Sequence, residues 1–412
     1  MSVNERFFEI PIGSDTPSVV EGQGENLGNE MSLLQIGKEL HLAPPNEWEL
    51  LRLRASEDPQ LRSGQAGALI SFAEFYGHGG KKGAFKHPTG YGKTKVYAYY
   101  GNVVGGRQVY LTPGMESVYD IQREVSKYEP DDEIGVIQGK TKQHGRRITI
   151  ATAGSFLSLA NQAISGDAQA ASHLRFLSKA DTVFVDEVHR FLTQKRKDLL
   201  SIFMSARFLG GTATDRYFLE KSVENRFGKI IHEVPIVDAI KEKVLVEPRG
   251  ILVRSGQTLN GVEFVQTGYG RDFNMQTFER RVDLRLRDLL SINAYKELPL
   301  RPDGRRMPAL ANTVSKEHAK NYAKAANEQG CPTAVITGDV TLEERKRIWN
   351  LHEAGEIEIV STVNTANEAL NKPYLQVLIN NCPTASELLA WQRLGRVLRS
   401  VDGKDDARGP GR

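Results

Sequence analysis

Residues 182–189 read Thr-Val-Phe-Val-Asp-Glu-Val-His. A short apolar run of this kind is how a strand buried on both faces of a parallel sheet is spelled. Asp186 then emerges at the C-terminal end of that strand, where open α/β sheets hold their ligands. A carboxylate there holds Mg²⁺ through water, and Glu187 beside it is placed to orient or deprotonate an attacking water. Paired acids after an apolar strand are common, so the pair needs a phosphate-binding partner elsewhere in the chain.

A candidate partner lies upstream, in Phe85-Lys86-His87-Pro88-Thr89-Gly90-Tyr91-Gly92-Lys93-Thr94. The phosphate-loop pattern is G-x-x-x-x-G-K-[ST]. Gly92, Lys93 and Thr94 fit it, while His87 stands where the first glycine belongs. Residues 82–86 read as a short strand and 95–100 as the opening of a helix. In that context the loop's N–H groups and the helix N-terminus face one anion. Lys93 would reach the β- and γ-phosphates and Thr94 would hold Mg²⁺. Taken alone, the stretch also reads as a plain glycine-rich turn.

Working outward, short apolar segments alternate with helical ones. Strands are expected at 108–111, 134–137, 148–151, 182–185 and 208–210, then at 309–313, 333–337, 357–361 and 376–380. Helices are expected at 315–329 and 342–354. Such alternation predicts doubly wound parallel sheets in two α/β halves. Between them, 236–300 breaks the rhythm: 257–270 is polar and glycine-rich, and 278–290 looks helical. The expected organisation is an acidic N-terminal extension over 1–60, a first domain over 61–235, a connector over 236–304, a second domain over 305–400 and a charged tail over 401–412.

The chain has 412 residues, 40% hydrophobic and 25% charged, an ordinary globular balance that supports two or three domains. No run of 18 apolar residues is present, and the N-terminus lacks a basic region followed by an apolar core, so an intracellular protein, cytoplasmic or nucleoid-associated and with no membrane partner, is expected. Two cysteines, Cys331 and Cys382, make neither a disulfide framework nor a zinc site and read as small buried hydrophobes. The formal charge is +3, but residues 1–50 sum to −7 and the remainder to +10. That basic surplus suits a polyanionic partner.

The string Asp186-Glu187-Val188-His189 resembles the D-E-x-H box of the superfamily 2 helicases and translocases. Other segments resemble that family's motifs in its own order, from 61 to 400. Leu61-Arg62-Ser63-Gly64-Gln65 resembles the segment whose glutamine, here Gln65, contacts adenine. Within the phosphate loop, Thr89, Gly90, Gly92, Lys93 and Thr94 match the core P-T-G-x-G-K-T, and His87 becomes a neutral flank. Leu111-Thr112-Pro113-Gly114 and Thr149-Ile150-Ala151-Thr152-Ala153-Gly154-Ser155 resemble segments that contact the nucleic-acid backbone, through Thr112, Pro113, Thr152 and Gly154. Gly211-Thr212-Ala213-Thr214 resembles the segment that, with His189, couples hydrolysis to movement through Thr212 and Thr214. Gln392-Arg393-Leu394-Gly395-Arg396-Val397-Leu398-Arg399 resembles the motif that carries the arginine fingers, here Arg396 and Arg399 beside Gln392. The resemblance implies two RecA-like domains in tandem, ATP and Mg²⁺ as cofactors, with Thr94 and Asp186 on the metal, and Glu187, Arg396, Arg399 and Gln392 in catalysis. One segment departs from the pattern: Glu368-Ala369-Leu370-Asn371 stands where a glycine and an aspartate are usual.

The D-E-V-H spelling together with Q-R-L-G-R-V-L-R resembles the double-stranded DNA translocases and the motor subunits of restriction enzymes, which implies DNA before RNA as the partner. Two other readings stand beside a helicase or translocase. One is a subunit that binds nucleic acid under an ATP switch without unwinding, and the other is an RNA helicase.

Overall fold

The computed structural model describes residues 46–400 except 140, 215, 219–220, 268–269 and 364–371. The segment Glu368-Ala369-Leu370-Asn371 and the tail 401–412 therefore lie outside the described residues. Two parallel sheets dominate. The first contains β1 (Lys82–Lys86), β2 (Gln108–Thr112), β3 (Ile134–Gln138), β4 (Thr141–Lys142), β5 (Ile148–Thr152), β6 (Thr182–Asp186) and β7 (Arg207–Thr212). After a small hairpin, β8 (Arg216–Phe218) and β9 (Lys221–Ser222), the sheet is completed by β10 (Lys229–Glu233). Its order is β10-β1-β7-β6-β2-β5-β3-β4, with only the β3–β4 pair antiparallel. A second hairpin, β11 (Phe264–Thr267) and β12 (Gly270–Phe273), precedes a four-stranded parallel sheet of β13 (Ala309–Thr313), β14 (Thr333–Ile336), β15 (Ile359–Val363) and β16 (Val377–Asn380), in the order β14-β15-β13-β16.

Each sheet is buried on both faces because its strands alternate between two cores. Val109, Leu111, Val183 and Val185 enter one core, and Tyr110 and Phe184 enter the other. In the second sheet Ala309, Ala311 and Ile359 face one core, and Leu310 and Val360 the other. Among the described residues no helix is long and apolar enough to cross a membrane.

Three expectations changed. The single helix at 278–290 is two helices, Met275–Arg281 and Leu284–Lys296, separated at Val282. Asp283 causes the break: its carboxylate accepts the Leu286 N–H at 3.1 Å and so starts a new helix. The second of these helices is more than a connector, since Ile292 and Tyr295 are buried in the core of the second sheet. Within 46–60 the chain forms a helix, Glu47–Glu57, capped by Asn46, whose Leu51 and Ala55 are buried in the first core. Four-residue spacing puts both on one helical face, which explains why this acidic stretch packs against the sheet. Cys331 and Cys382 are buried free thiols, as read.

Candidate nucleotide site between the two sheets

The phosphate loop joins β1 to the helix Lys93–Val104, so it sits at the C-terminal edge of the first sheet. Gly90 and Gly92 adopt φ of +90° and +96°, where a side chain is strained. Space forbids one as well: a Cβ on Gly92 would stand 2.4 Å from Gln65 Nε2. His87 is fully buried behind the loop, with its backbone N–H on Thr212 O at 2.9 Å and its Nε2 3.1 Å from His232 Nδ1. Burial, His232 and Lys93 push its pKa down to about 2. The ring is therefore uncharged near pH 7.

Asp186 ends β6, two strands from β1, with β7 between them. Burial and then the neighbouring Glu187 push its carboxyl up, against Lys93. Glu187 is one of two non-glycine residues at positive φ among the described residues (φ 48°). Such a conformation costs about 1–3 kcal/mol and collects at functional sites. Here it aims the carboxylate at Lys93 Nζ, 3.3 Å away. Burial opposes ionisation of Glu187, but Lys93 and then His189 outweigh it and hold the group below its ordinary value.

His189 is the hub of a second set of contacts. Its Nδ1 lies 2.8 Å from Thr212 Oγ1 and 3.3 Å from Glu187 Oε2. Its Nε2 lies 3.4 Å from Gln392 Nε2, on the helix Glu387–Leu394 of the second half. Burial pushes its pKa down to about 4 despite Glu187, so the ring is neutral near pH 7. An amide nitrogen only donates, so Nε2 accepts and the proton sits on Nδ1. Thr212 Oγ1 in turn donates to Thr214 O at 2.6 Å and accepts from Thr214 N–H at 3.0 Å. One chain of polar contacts thus runs from Glu187 through His189 to Gln392, with a branch to Thr212 and Thr214.

A cavity of about 370 Å³ brings together Thr89, Gly90, Gly92, Lys93, Thr94, Pro113, Asp186, Glu187, His189, Gln392, Arg396 and Arg399. Arg396 and Arg399 follow the helix Glu387–Leu394, whose N-terminus is capped by Ser386. Arg393, between Gln392 and Arg396, points the other way and is buried, donating to Cys382 O at 2.6 Å. Burial, reinforced by Arg396 and offset by Asp120, pushes Arg399 down to about 10.

Two sets of residues are placed apart from this cavity. Gln65 is 2% exposed and its amide is spent on the loop backbone. Thr112 and Thr152 are register partners at the ends of β2 and β5. Thr112 Oγ1 donates to Gly114 O at 2.7 Å, and Thr152 Oγ1 accepts the Ser155 N–H at 3.2 Å. Gly154 lies in the first turn of the helix Ala153–Ile164 with open space where a Cβ would be, on a groove shared with Leu157, Ser158 and Asn161.

Sequence reasoning missed the seam that holds the arginines to the loop. Leu245 and Arg399 form an antiparallel bridge, and Val246 N–H donates to Leu398 O at 2.8 Å. Leu245 is buried with Tyr91, Val234, Ala239, Val246 and Leu398. The only signal was the short apolar run Val244-Leu245-Val246.

Comparison with known proteins agrees with this layout. Residues 58–216 match a family model described as the type III restriction enzyme, res subunit, and residues 292–401 match the helicase conserved C-terminal domain. A Saccharomyces cerevisiae protein described as an ATP-dependent helicase, IRC3, is 23% identical over 243 residues, covering 56% of this chain and 34% of its own length. The chain thus spans about a third of that relative. Among solved structures, a fragment assigned as the HsdR subunit of a type I restriction enzyme from Vibrio vulnificus superposes with a TM-score of 0.60 at 18% identity, covering 89% of this chain and 65% of the fragment. A Dbp5 variant of Saccharomyces cerevisiae, bound to Gle1 and IP6, gives 0.53 at 15% identity over 90% of this chain and 86% of its own. Those likenesses fix the fold as tandem RecA-like domains, and with the two family matches in their expected order, the chain belongs to the superfamily 2 helicases.

Proposed function

We propose that this chain is an ATP-driven helicase or translocase acting on nucleic acid, with DNA as the favoured polymer. The observation that carries the reading is the split cavity: Lys93, Thr94, Asp186 and Glu187 come from the first half, and Gln392, Arg396 and Arg399 from the second. Phosphoryl transfer needs positioned cations more than covalent chemistry, so a site divided in this way works only when the halves meet.

In this reading Lys93 exchanges Glu187 for the β- and γ-phosphate oxygens of ATP. A hydroxyl and a half-buried carboxylate are the hard oxygen donors Mg²⁺ takes, and both line the cavity. Thr94 and Asp186 would hold Mg²⁺, which offsets phosphate charge when bound. Glu187, released from Lys93, takes the proton of the attacking water on its carboxylate. Arg396 and Arg399 meet the charge that develops on the transferred phosphoryl group. His189 passes the state of Glu187 to Thr212, Thr214 and Gln392, and so to the relative position of the halves. Thr112, Thr152 and Gly154, at the ends of β2 and β5, are the proposed contacts to the nucleic-acid backbone, while Pro113, expected beside them, lines the nucleotide cavity. The working parts are proposed as a first domain over 61–235 and a second over 305–400, with the helices Glu47–Glu57 and Leu284–Lys296 added to their respective cores.

The D-E-V-H and Q-R-L-G-R-V-L-R spellings, and the match of the first half to a restriction-enzyme subunit family, support DNA. The test is ATP turnover with double-stranded DNA, single-stranded DNA and RNA, with strand displacement followed in parallel. Stimulation by DNA is expected. Stimulation by RNA alone would reverse the choice of polymer, and ATP binding without turnover on any of them would leave a nucleotide-switched binder.

A further inference from the structure

Strands β11 and β12 pair Phe264 with Phe273, Val265 with Asp272 and Gln266 with Arg271. Opposed residues of an antiparallel pair share a face, and successive residues alternate between faces. One face of this hairpin therefore holds Phe264, Gln266, Arg271 and Phe273, and the other holds Val265 and Asp272. On the first face the Phe264 and Phe273 rings lie 4.8 Å apart, and the Arg271 guanidinium sits over Phe264 at 4.4 Å. Phe264 is still 44% exposed. It does not stand alone: half of the exposed large hydrophobic side chains among the described residues lie between Ile251 and Leu286. Exposed apolar surface concentrated in one segment marks a contact site.

A two-stranded hairpin by itself is marginal in water, so its anchors say where it works. Asp272 is buried and accepts from Thr384 Oγ1 at 2.8 Å and from the Ala385 N–H at 2.7 Å. Phe273 joins the apolar cluster that contains Val314 and Cys382. Those residues follow the C-terminal ends of β13 and β16, the edge at which open α/β sheets hold their ligands. Thr384 Oγ1 also accepts the Ser386 N–H at 3.0 Å, and Ser386 caps the helix Glu387–Leu394. The hairpin is thus tied to the start of the helix that presents Gln392.

An exposed ring with a guanidinium beside it is a surface on which nucleobases stack, whatever their sequence. The phosphates between those bases need cations, and Arg281 brings a second guanidinium to the base of the hairpin. Its Cζ lies 3.7 Å from where a Cβ on Gly261 would stand. A duplex hides the faces of its bases, so such a surface takes an unpaired strand. We infer that the β11–β12 hairpin is a base-stacking surface for an unpaired nucleic-acid strand, with Phe264 as its platform. This rests on the nucleic-acid reading above and adds to it the form of strand that the second half holds.

The test is fluorescence anisotropy of a short oligothymidylate, of the same strand with abasic sugars and of a blunt duplex. Each is titrated with the full chain and with its Phe264→Leu and Phe264→Trp variants. Leu keeps apolar bulk without a ring face, and Trp keeps the face. The parent should prefer the base-bearing strand to the abasic one roughly ten-fold or more. Phe264→Leu should lose most of that preference while its affinity for the abasic strand stays within about threefold of the parent value. Phe264→Trp should keep the preference, and its added emission should be quenched by oligothymidylate and not by the abasic strand. That variant decides the matter even if Phe264→Leu unfolds the chain. Equal affinity of the parent for the two strands overturns the inference and leaves the nucleic-acid reading standing. A preference that survives in Phe264→Leu, or a Phe264→Trp emission that no strand alters, overturns it as well. Self-association of the parent that Phe264→Leu abolishes, with strand binding unchanged, makes the hairpin an interface between copies instead. A parent chain that binds neither strand nor duplex overturns the nucleic-acid reading and this one together.

Discussion

Replacing Arg399 by Ala tests whether one half of the chain suffices for hydrolysis. The guanidinium lines the same cavity as Lys93 and Glu187 and is largely withdrawn from solvent. Its stem crosses the loop, with Cγ 2.9 Å from where a Cβ on Gly90 would stand. A pKa of about 10 means that the charge is lost only as pH rises through 10, so Arg399 is cationic throughout the range of an ordinary assay. At about 4 Å from developing charge, with an effective dielectric near 20, one unit charge contributes about 4 kcal/mol. That is roughly 10³ in rate, the lower end of the 10³–10⁵ measured for arginine fingers. The assay is single-turnover ATP hydrolysis at saturating nucleic acid, with nucleotide affinity measured beside it. Arg399→Ala should lose roughly a thousandfold or more in rate with little change in affinity. Arg399→Lys should recover part of the loss, because the charge returns without the planar fork. A rate for Arg399→Ala within about tenfold of the parent would show that the first half is catalytically complete, and the closure mechanism would fall.

Lys93→Ala should abolish turnover, since the phosphates lose their fixed cation; near-parental hydrolysis by a folded variant would remove the phosphate-loop assignment. Glu187→Gln should bind ATP and hydrolyse it poorly, and a loss of binding like that of Lys93→Ala would contradict its role as base. Leu245→Ala should cost about 2–4 kcal/mol, because it empties a packed position in the seam between the halves; an unchanged denaturation midpoint would refute that packing role. His352 makes a pH prediction. Burial pushes its pKa down to about 4, and the neutral ring donates from Nε2 to Ala309 O and Glu358 O, both at 3.2 Å. The folded value lies below the unfolded one, so its contribution is complete above about pH 6.5 and is lost as pH falls toward 4, by up to about 3 kcal/mol. Denaturation midpoints across that window should fall for the parent chain and fall less for His352→Gln, and equal slopes would clear His352 of the effect.

The sequence by itself determined the strands of both sheets apart from β4 and β10, and the C-terminal ends of β1 and β6, because those signals are local. An apolar run of five residues, a turn at Gly90 and Gly92 and an acid after Val185 need no distant partner to be read. Local spelling also named Gln392, Arg396 and Arg399, but it gave no direction for them. Only the fold decided that Arg393 turns inward to Cys382 while Arg396 and Arg399 face Lys93. Folding also decided that His189 reaches Gln392. These contacts join residues far apart in the chain, and no periodicity encodes them. Gln65 shows the same limit, since the motif places it beside the loop and only the fold shows its amide against the loop backbone. The single helix expected at 278–290 was broken by a side chain, Asp283, whose cap forms only in the folded backbone. The pairing of Leu245 with Arg399 depends on closure between the two halves, and closure is a property of the tertiary structure because its free energy comes from surfaces that the chain order does not bring together.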